Sequence, residues 1–385
     1  MSAPGPLAGI RILDLTRLLP GPVATLHLAD LGADVIKIED PQVGDYARTL
    51  GTGQGDDSAY FRMINRNKRG LRLDLKLAQG VEIFLRLARE ADVIVESFRP
   101  GVVDKLGIGY AAVAAANPKI AYCSISGYGQ DGPYRDLAGH DINYLGYAGV
   151  LDQIGNAGGD PALPNFQIAD LLGGAMTAAM GILAAVIEAQ RSGKGRYIDV
   201  SMTDSVLAHT YFTMLRLNDG GRSAPRGSDL LTGGLPCYAT YRCADGGYMA
   251  VGALEGKFWK TCCVLLERPA WIVRQWDAAL RAEMAALFAT RPRDAWTAAF
   301  AAVDCCVTPV LTPEEALQDA QIVARDMVQS VDGLTQFAPP LKFSGHQFAI
   351  RHPAPKAGEH NDEILREAGY SVTEIERLKA GGALG

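Results

Sequence analysis

Branched and apolar residues gather in short runs from the start of the chain. Ile10–Leu15 reads as a buried strand. Pro20-Gly21-Pro22 breaks it, and Pro22 suits the first turn of a helix. Val23, Leu26, Leu28 and Leu31 give that helix a loose apolar face, with Gly32 as a natural stop. Asp34–Glu39 is the next strand, so strand, helix and strand close within about thirty residues, the size of a βαβ unit. The pattern then recurs: Leu71–Leu75 alternates as a strand, a helix covers 78–90, Asp92–Phe98 is a buried strand, a helix runs near 102–115, and Ile120–Ser126 is a strand again. This repetition predicts the α/β class, with a doubly wound parallel sheet. Ligands of such sheets lie beyond the carboxyl ends of the strands, where Arg99 and the turn Gly127-Tyr128-Gly129 fall. The first turn has no GxGxxG, which removes a dinucleotide fingerprint.

Further along, Leu171–Ile187 carries no charge between Asp170 and Glu188, just short of a membrane-spanning length. With Gly173, Gly174, Thr177 and Gly181 inside it, it reads as a buried helix packed through small residues, and no membrane contact is expected. A strand at 197–202 and a helix at 204–217, capped by Thr203, end the N-terminal part of a large domain, 1–217. Gly, Ser, Pro and Arg dominate the stretch beyond 218, and 218–227 is read as a linker. A smaller α+β domain follows at 228–330, with a hairpin over 238–254 turning at Asp245-Gly246-Gly247 and amphipathic helices between Phe258 and Val303. Residues 331–385 return to complete the large domain, and Thr373 with Glu376 is read as the capping box of the last helix. Gly51–Asp57 is expected to be a surface loop.

Composition narrows the function more than the fold. The chain has 385 residues, enough for two domains, with 48% apolar and 21% charged residues. A net charge of -6 without a basic stripe argues against a nucleic-acid partner. The seven cysteines show no CxxC spacing, and Met1-Ser-Ala-Pro-Gly does not begin a secretory leader, so a reduced, cytoplasmic protein is expected. Six histidines with no i, i+4 pair suggest no metal site.

Two polar positions stand out against this background. Gly139-His140-Asp141-Ile142-Asn143-Tyr144 sets a histidine in a Gly-flanked turn, and Asp170 opens the uncharged helix. Imidazole titrates near neutrality, and partial burial can raise a carboxyl toward it, so the two could exchange a proton on a carbon made acidic by a neighbouring carbonyl. The start of the Asp170 helix would offer free N–H groups to the enolate oxygen, with Gly173 and Gly174 permitting close approach. The plainer alternatives are a structural His–Asp pair and an N-capping Asp170. Glu255, just past a strand, reads by itself as a solvated carboxylate. Lys68, Arg69 and Arg99 read by themselves as a charged surface.

Longer stretches give these residues a context. Leu-Gly-Ala-Asp-Val-Ile-Lys-Ile-Glu (31–39), Asn-Arg-Asn-Lys-Arg (65–69), Leu-Asp-Leu-Lys (73–76), Phe-Arg-Pro-Gly-Val (98–102), Gly-His-Asp-Ile-Asn-Tyr (139–144), Ile-Ala-Asp-Leu-Leu-Gly-Gly (168–174), Val-Gly-Ala-Leu-Glu (251–255) and Cys-Val-Thr-Pro-Val-Leu (306–311) occur in order. With them the chain resembles the superfamily of family III CoA-transferases and α-methylacyl-CoA racemases, nearest the racemase branch. The resemblance implies a Rossmann-like large domain, an interlocked homodimer and an acyl-CoA thioester substrate, with no tightly bound cofactor. It implies His140 and Asp170 as the acid/base pair, with Glu255 supporting the histidine. It implies CoA contacts from Lys68, Leu73, Asp74, Leu75, Lys76, Ser97, Phe98, Arg99, Lys105, Gly139, Asp141, Ile142, Asn143 and Tyr144. Racemases often carry arginine where Asp40 stands, so Lys37 or the 65–69 cluster is expected to compensate on the phosphates. Gly44-Asp45 and Ser58-Ala59-Tyr60-Phe61 look more like the transferase branch, in which the aspartate matching Asp170 attacks the acyl-CoA and forms a mixed anhydride.

Overall fold

The structure, a computed structural model, describes residues 5–51, 58–331 and 333–385. The expected loop at 51–57 therefore lies, apart from Gly51, outside the described residues. The chain divides into two compact units: Met1–Ala148, Asn165–His209 and Ala324–Gly385 form the large one, and Gly149–Pro164 with Thr210–Val323 the small one.

The large unit is built on six parallel strands, β1 (Arg11–Asp14), β2 (Asp34–Glu39), β3 (Lys68–Arg72), β4 (Val93–Glu96), β5 (Ala121–Ser126) and β6 (Arg196–Ser201), in the order β3-β2-β1-β4-β5-β6. Ile12, Leu13, Val35, Ile36, Val93, Ile94 and Val95 are buried, as expected of a parallel sheet covered on both faces. The strand order reverses between β1 and β4, the switch point at which open α/β sheets bind ligands. Helix α1 (Pro20–Asp30) starts with prolines, and α2 (Ala78–Arg89) turns Ile83, Phe84 and Leu87 to the core. A short helix, α3 (Asp141–Tyr147), precedes the long α4 (Ala169–Ser192), and β6 runs into α5 (Met202–Leu207). Helix α4 is apolar and long enough to cross a membrane by length and composition alone. Here it packs on β5, β6, α1 and α5, burying Gly173, Gly174, Ala178, Ile182 and Ala185 while Met176, Met180 and Ile187 stay exposed.

The basic run at 65–69 is an internal feature. Asp30 takes bonds from Arg66 (2.7 Å) and Asn67 (2.8 Å). Arg69 pairs with Asp34 (2.7 Å), Glu363 (2.8 Å) and Glu367 (2.9 Å). Lys68 is fully buried, with Nζ donating to Asp14 Oδ2 (3.0 Å), Pro22 O (2.9 Å) and Asn65 Oδ1 (2.8 Å). All three of its protons are spent inside the fold, so Lys68 is removed from the CoA contacts. Lys37 is equally committed, to Asp45 (2.8 Å) and Thr16 O (2.9 Å). Neither expected source of compensation for Asp40 therefore faces a ligand.

The small unit holds a three-stranded antiparallel sheet, β7 (Tyr238–Arg242), β8 (Tyr248–Gly252) and β9 (Val307–Val310), around a core that includes Trp259, Trp271, Phe288 and Trp296. The expected linker at 218–227 does not behave as one. Helix α6 (Tyr211–Gly220) and the turns after it belong to this unit, tied by Arg216 to Asp229 (2.5 Å) and by Arg226 to Asp152 and to the carbonyl of Gly159. Its Gly and Pro residues shape these turns instead of freeing the chain. The return segment lies along β3, where Asn361 Oδ1 accepts the Arg72 N–H (2.9 Å). The last helix, Val372–Ala380, is capped by Ser371 with Glu374, so its box lies two residues before the expected Thr373 and Glu376. Both pairs fit the i, i+3 spacing; the upstream one sits where the backbone is still extended.

Candidate active site

Beyond the carboxyl ends of the strands, the large unit opens a cleft of about 1150 Å³. His140 and Asp170, adjacent to nothing in common along the chain, both line it. His140 is exposed at the N-cap of α3, where its N–H donates to Asn143 Oδ1 (3.0 Å). Asp170 is half-buried in the first turn of α4. Burial first, and then the nearby Asp141 carboxylate, push its carboxyl up to about 7. Tyr60 shares the cleft, and burial together with the field of Asp170 pushes its phenol up to about 12.

The start of α4 explains where Asp170 is held. Asp141 Oδ1 accepts the N–H groups of Ala169 (2.7 Å) and Asp170 (3.1 Å), and the Leu171 N–H bonds to Gln167 O (2.9 Å). Asp141, expected among the CoA contacts, is thus the cap of this helix. The N–H groups foreseen as an oxyanion hole are spent on it. The glycines foreseen beside them face the protein: a Cβ at Gly173 would strike Met202 O, and one at Gly174 would strike Pro20. Residues 169–176 form a wide π-helical stretch, with Thr177 Oγ1 bonded to Leu172 O (3.0 Å), before the helix tightens. Such wide turns occur disproportionately at functional sites.

The remaining expected residues fall into separate places. Ser97, Phe98, Arg99, Gly139, Asn143 and Tyr144 line the cleft with the pair. Leu73, Leu75 and Lys76 line a neighbouring slot of about 180 Å³, walled by Leu15, Ile38, Phe98, Val102 and Leu106. Lys76 pairs with Asp40 across its rim (3.0 Å). Asp74, Lys105 and Ile142 lie outside both linings: Asp74 takes the Lys76 N–H, Lys105 ends an exposed helical turn, and Ile142 is exposed on α3. Glu255 is in the small unit, at the N-cap of α7 (Gly256–Leu265). Among the described residues no group of His, Cys, Asp and Glu is arranged to hold a metal ion.

Two features had no expectation attached. Arg17, three residues past β1, lies against the rings of Phe98 (5.5 Å) and Tyr46 (5.7 Å) and lines both the cleft and the slot. Its place after a strand at the switch point was the available signal. Tyr128, Tyr144, Tyr147 and Tyr134 form an aromatic cluster with centroids 4.8–5.9 Å apart. The Tyr144 ring occupies the space that a Cβ at Gly127 or Gly139 would need, which ties both glycines to the His140 loop.

The model of CoA-transferase family III matches residues 7–361. Alpha-methylacyl-CoA racemase of Mus musculus is 37% identical over 379 residues, covering 97% of this chain and 96% of its own. Succinyl-CoA:glutarate CoA-transferase of Mus musculus is 32% identical over 396 residues, covering 98% and 90%. Among solved structures, a CAIB/BAIF family protein from Brucella suis superposes with a TM-score of 0.83 at 30% identity, covering 95% of this chain and all (100%) of its own.

Proposed function

The chain belongs to CoA-transferase family III, and on that premise we propose that it interconverts the 2R and 2S forms of 2-methylacyl-CoA thioesters. The observation that carries the proposal is the shared cleft, in which an imidazole and a carboxyl face one space. A carboxyl raised to about 7 is close to the value at which a side chain both gives and takes a proton at neutral pH. His140 removes the α-proton from one face while Asp170, protonated, delivers one to the other; the reverse direction exchanges the roles. The electron pair left on carbon passes to the thioester oxygen as an enolate. With the N–H groups of Ala169 and Asp170 taken by Asp141, the side-chain Nδ2–H of Asn143 is our choice of donor to that oxygen, its Oδ1 being held by the His140 N–H.

The adenine ring is assigned to the apolar slot and the pantetheine arm to the cleft. Glu255 is proposed to orient His140, and the homodimer to complete the site. The apolar side chains left exposed on α4 and on α6 (Tyr211, Phe212, Met214, Leu215) support burial against a second copy. A cytoplasmic location remains part of the same proposal.

A second reading has its own support: relatives at 32% identity are CoA-transferases, and the cleft holds in Asp170 a carboxylate able to act as a nucleophile. One incubation separates the two. A single 2-methylacyl-CoA is held in heavy water with no free acid, and deuterium is expected at the α-carbon. His140→Ala is expected to lower that exchange roughly 10²- to 10⁴-fold in a folded protein. Exchange of the acyl group only when a free carboxylate is added, with no α-deuteration, would overturn the racemase reading in favour of transfer.

A further inference from the structure

If CoA is the substrate, its phosphates need a cation. Position 40 holds an aspartate, and Lys76 gives its ammonium to that carboxylate (3.0 Å). Lys37, Arg66, Lys68 and Arg69 are all bonded to internal carboxylates. Arg17 differs from every one of them. Its backbone N–H is held by Ser97 Oγ (3.3 Å), and no ion pair engages its guanidinium among the described residues. The group instead lies against the faces of Phe98 and Tyr46, 5.5 and 5.7 Å from their centroids. A guanidinium stacked in this way is held extended and partly dehydrated, with its N–H edges left for a planar or tetrahedral anion.

Its position selects the anion. Arg17 and Phe98 are the residues common to the slot and the cleft. In a CoA thioester the diphosphate joins the adenosine to the pantetheine arm. With the base in the slot and the arm in the cleft, that group falls at the junction. We propose that Arg17 is the diphosphate anchor of this site, supplying through the end of β1 the positive charge that position 40 lacks. The inference rests on the reading of CoA as substrate.

The test measures CoA binding by calorimetry for the wild-type chain, Arg17→Met and Arg17→Lys, with melting curves as a control on folding. Methionine keeps the apolar stem against the two rings. Arg17→Met is expected to weaken CoA binding roughly ten- to a hundredfold. The loss should persist with dephospho-CoA, which keeps the diphosphate, and should shrink at high salt. Lysine should recover part of it, lacking the bidentate fork. The loss of kcat/KM in Arg17→Met should be larger for the CoA thioester than for an S-acyl-pantetheine, which has no phosphate. Wild-type-like CoA affinity in folded Arg17→Met overturns the anchor and leaves the CoA reading standing. A matching loss on the pantetheine thioester also overturns it, moving Arg17 to the acyl end. A wild-type chain that binds no CoA removes both readings together.

Discussion

Two sets of positive charge in the large unit have opposite fates. Residues 65–69 are the densest basic run in the sequence, yet Arg66, Lys68 and Arg69 all turn to carboxylates of the fold. Arg17 and Arg99 stand alone in sequence and line the cleft. The difference is one of sheet geometry. Strand β3 is an edge strand whose neighbours bring Asp14, Asp30 and Asp34 toward it from β1, α1 and β2. Arg17 and Arg99, past the ends of β1 and β4, meet no carboxylate within ion-pair distance among the described residues. Charge density along a chain therefore says little about ligands, while position relative to a strand end says a good deal.

The change that would most sharply break this comparison is Lys68→Ala. It would leave the Asp14 carboxylate, fully buried, without one of its two cations, and losing one partner of a buried pair costs about 3–5 kcal/mol. Urea unfolding should show that loss, and the folded fraction should bind CoA as the wild type does. A stable Lys68→Ala protein with weakened CoA affinity would invert the assignment, making the run at 65–69 the ligand site. The conservative Lys68→Arg is expected to fail as well, because a guanidinium exceeds the space filled by one ammonium with three fixed acceptors.

Asp170→Asn comes next in size and opposes function to stability. Its folded carboxyl titrates near 7, above the ordinary value of 3.8, because burial and Asp141 disfavour the charge. A group raised in this way favours the folded state at low pH, and that contribution is lost as the pH climbs toward 7. Asparagine removes the cost of ionisation, so the variant should melt above the wild type at pH 8 and close to it at pH 4. Discounted for the part of the carboxyl that remains solvated, the gain is about 1–2 kcal/mol, with α-proton exchange abolished. Equal melting differences at both pH values would show that Asp170 does not titrate as described.

Much of the fold was legible because it rests on local pattern. The strand runs at 10–15, 34–39, 92–98 and 120–126 each contain a strand of the sheet, and the uncharged stretch after Asp170 is a packed helix. His140 and Asp170 could be singled out because a titratable residue beside glycine or at a helix start is unusual, while Gly139, Asn143 and Tyr144 came only from the family resemblance. What escaped were partnerships across the chain. Nothing around Lys68 announces Asp14, fifty-four positions away (|i−j|=54), and nothing around Asp141 announces that it will cap a helix beginning at 169. Residues 218–227 have the composition of a linker, but Arg226 finds Asp152 seventy-four positions upstream (|i−j|=74). Arg17 was missed for a related reason: its place past a strand end was visible, but the rings of Phe98 and Tyr46 that hold it come from distant positions.

The smallest change carries the finest test of the comparison, because it alters a charge and leaves the packing alone. Asp141 does for α4 what Asp14 does for β1: it is a carboxylate spent on structure, but it stands beside the one proposed to do chemistry. Asp141→Asn keeps the Oδ1 acceptor for the N–H groups of Ala169 and Asp170, and asparagine caps helices as well as aspartate does, so stability should move by no more than a few tenths of a kcal/mol. The second cause of the raised Asp170 carboxyl disappears with the charge, and that carboxyl then ionises at lower pH. In the proposed mechanism the competent enzyme carries one proton shared between His140 and Asp170, whichever enantiomer it meets. The acid limb of the bell-shaped profile should therefore move to lower pH for both enantiomers alike, as the fixed equilibrium between them requires. A limb that moves for one enantiomer alone, or not at all, would place the titrating acid outside this pair.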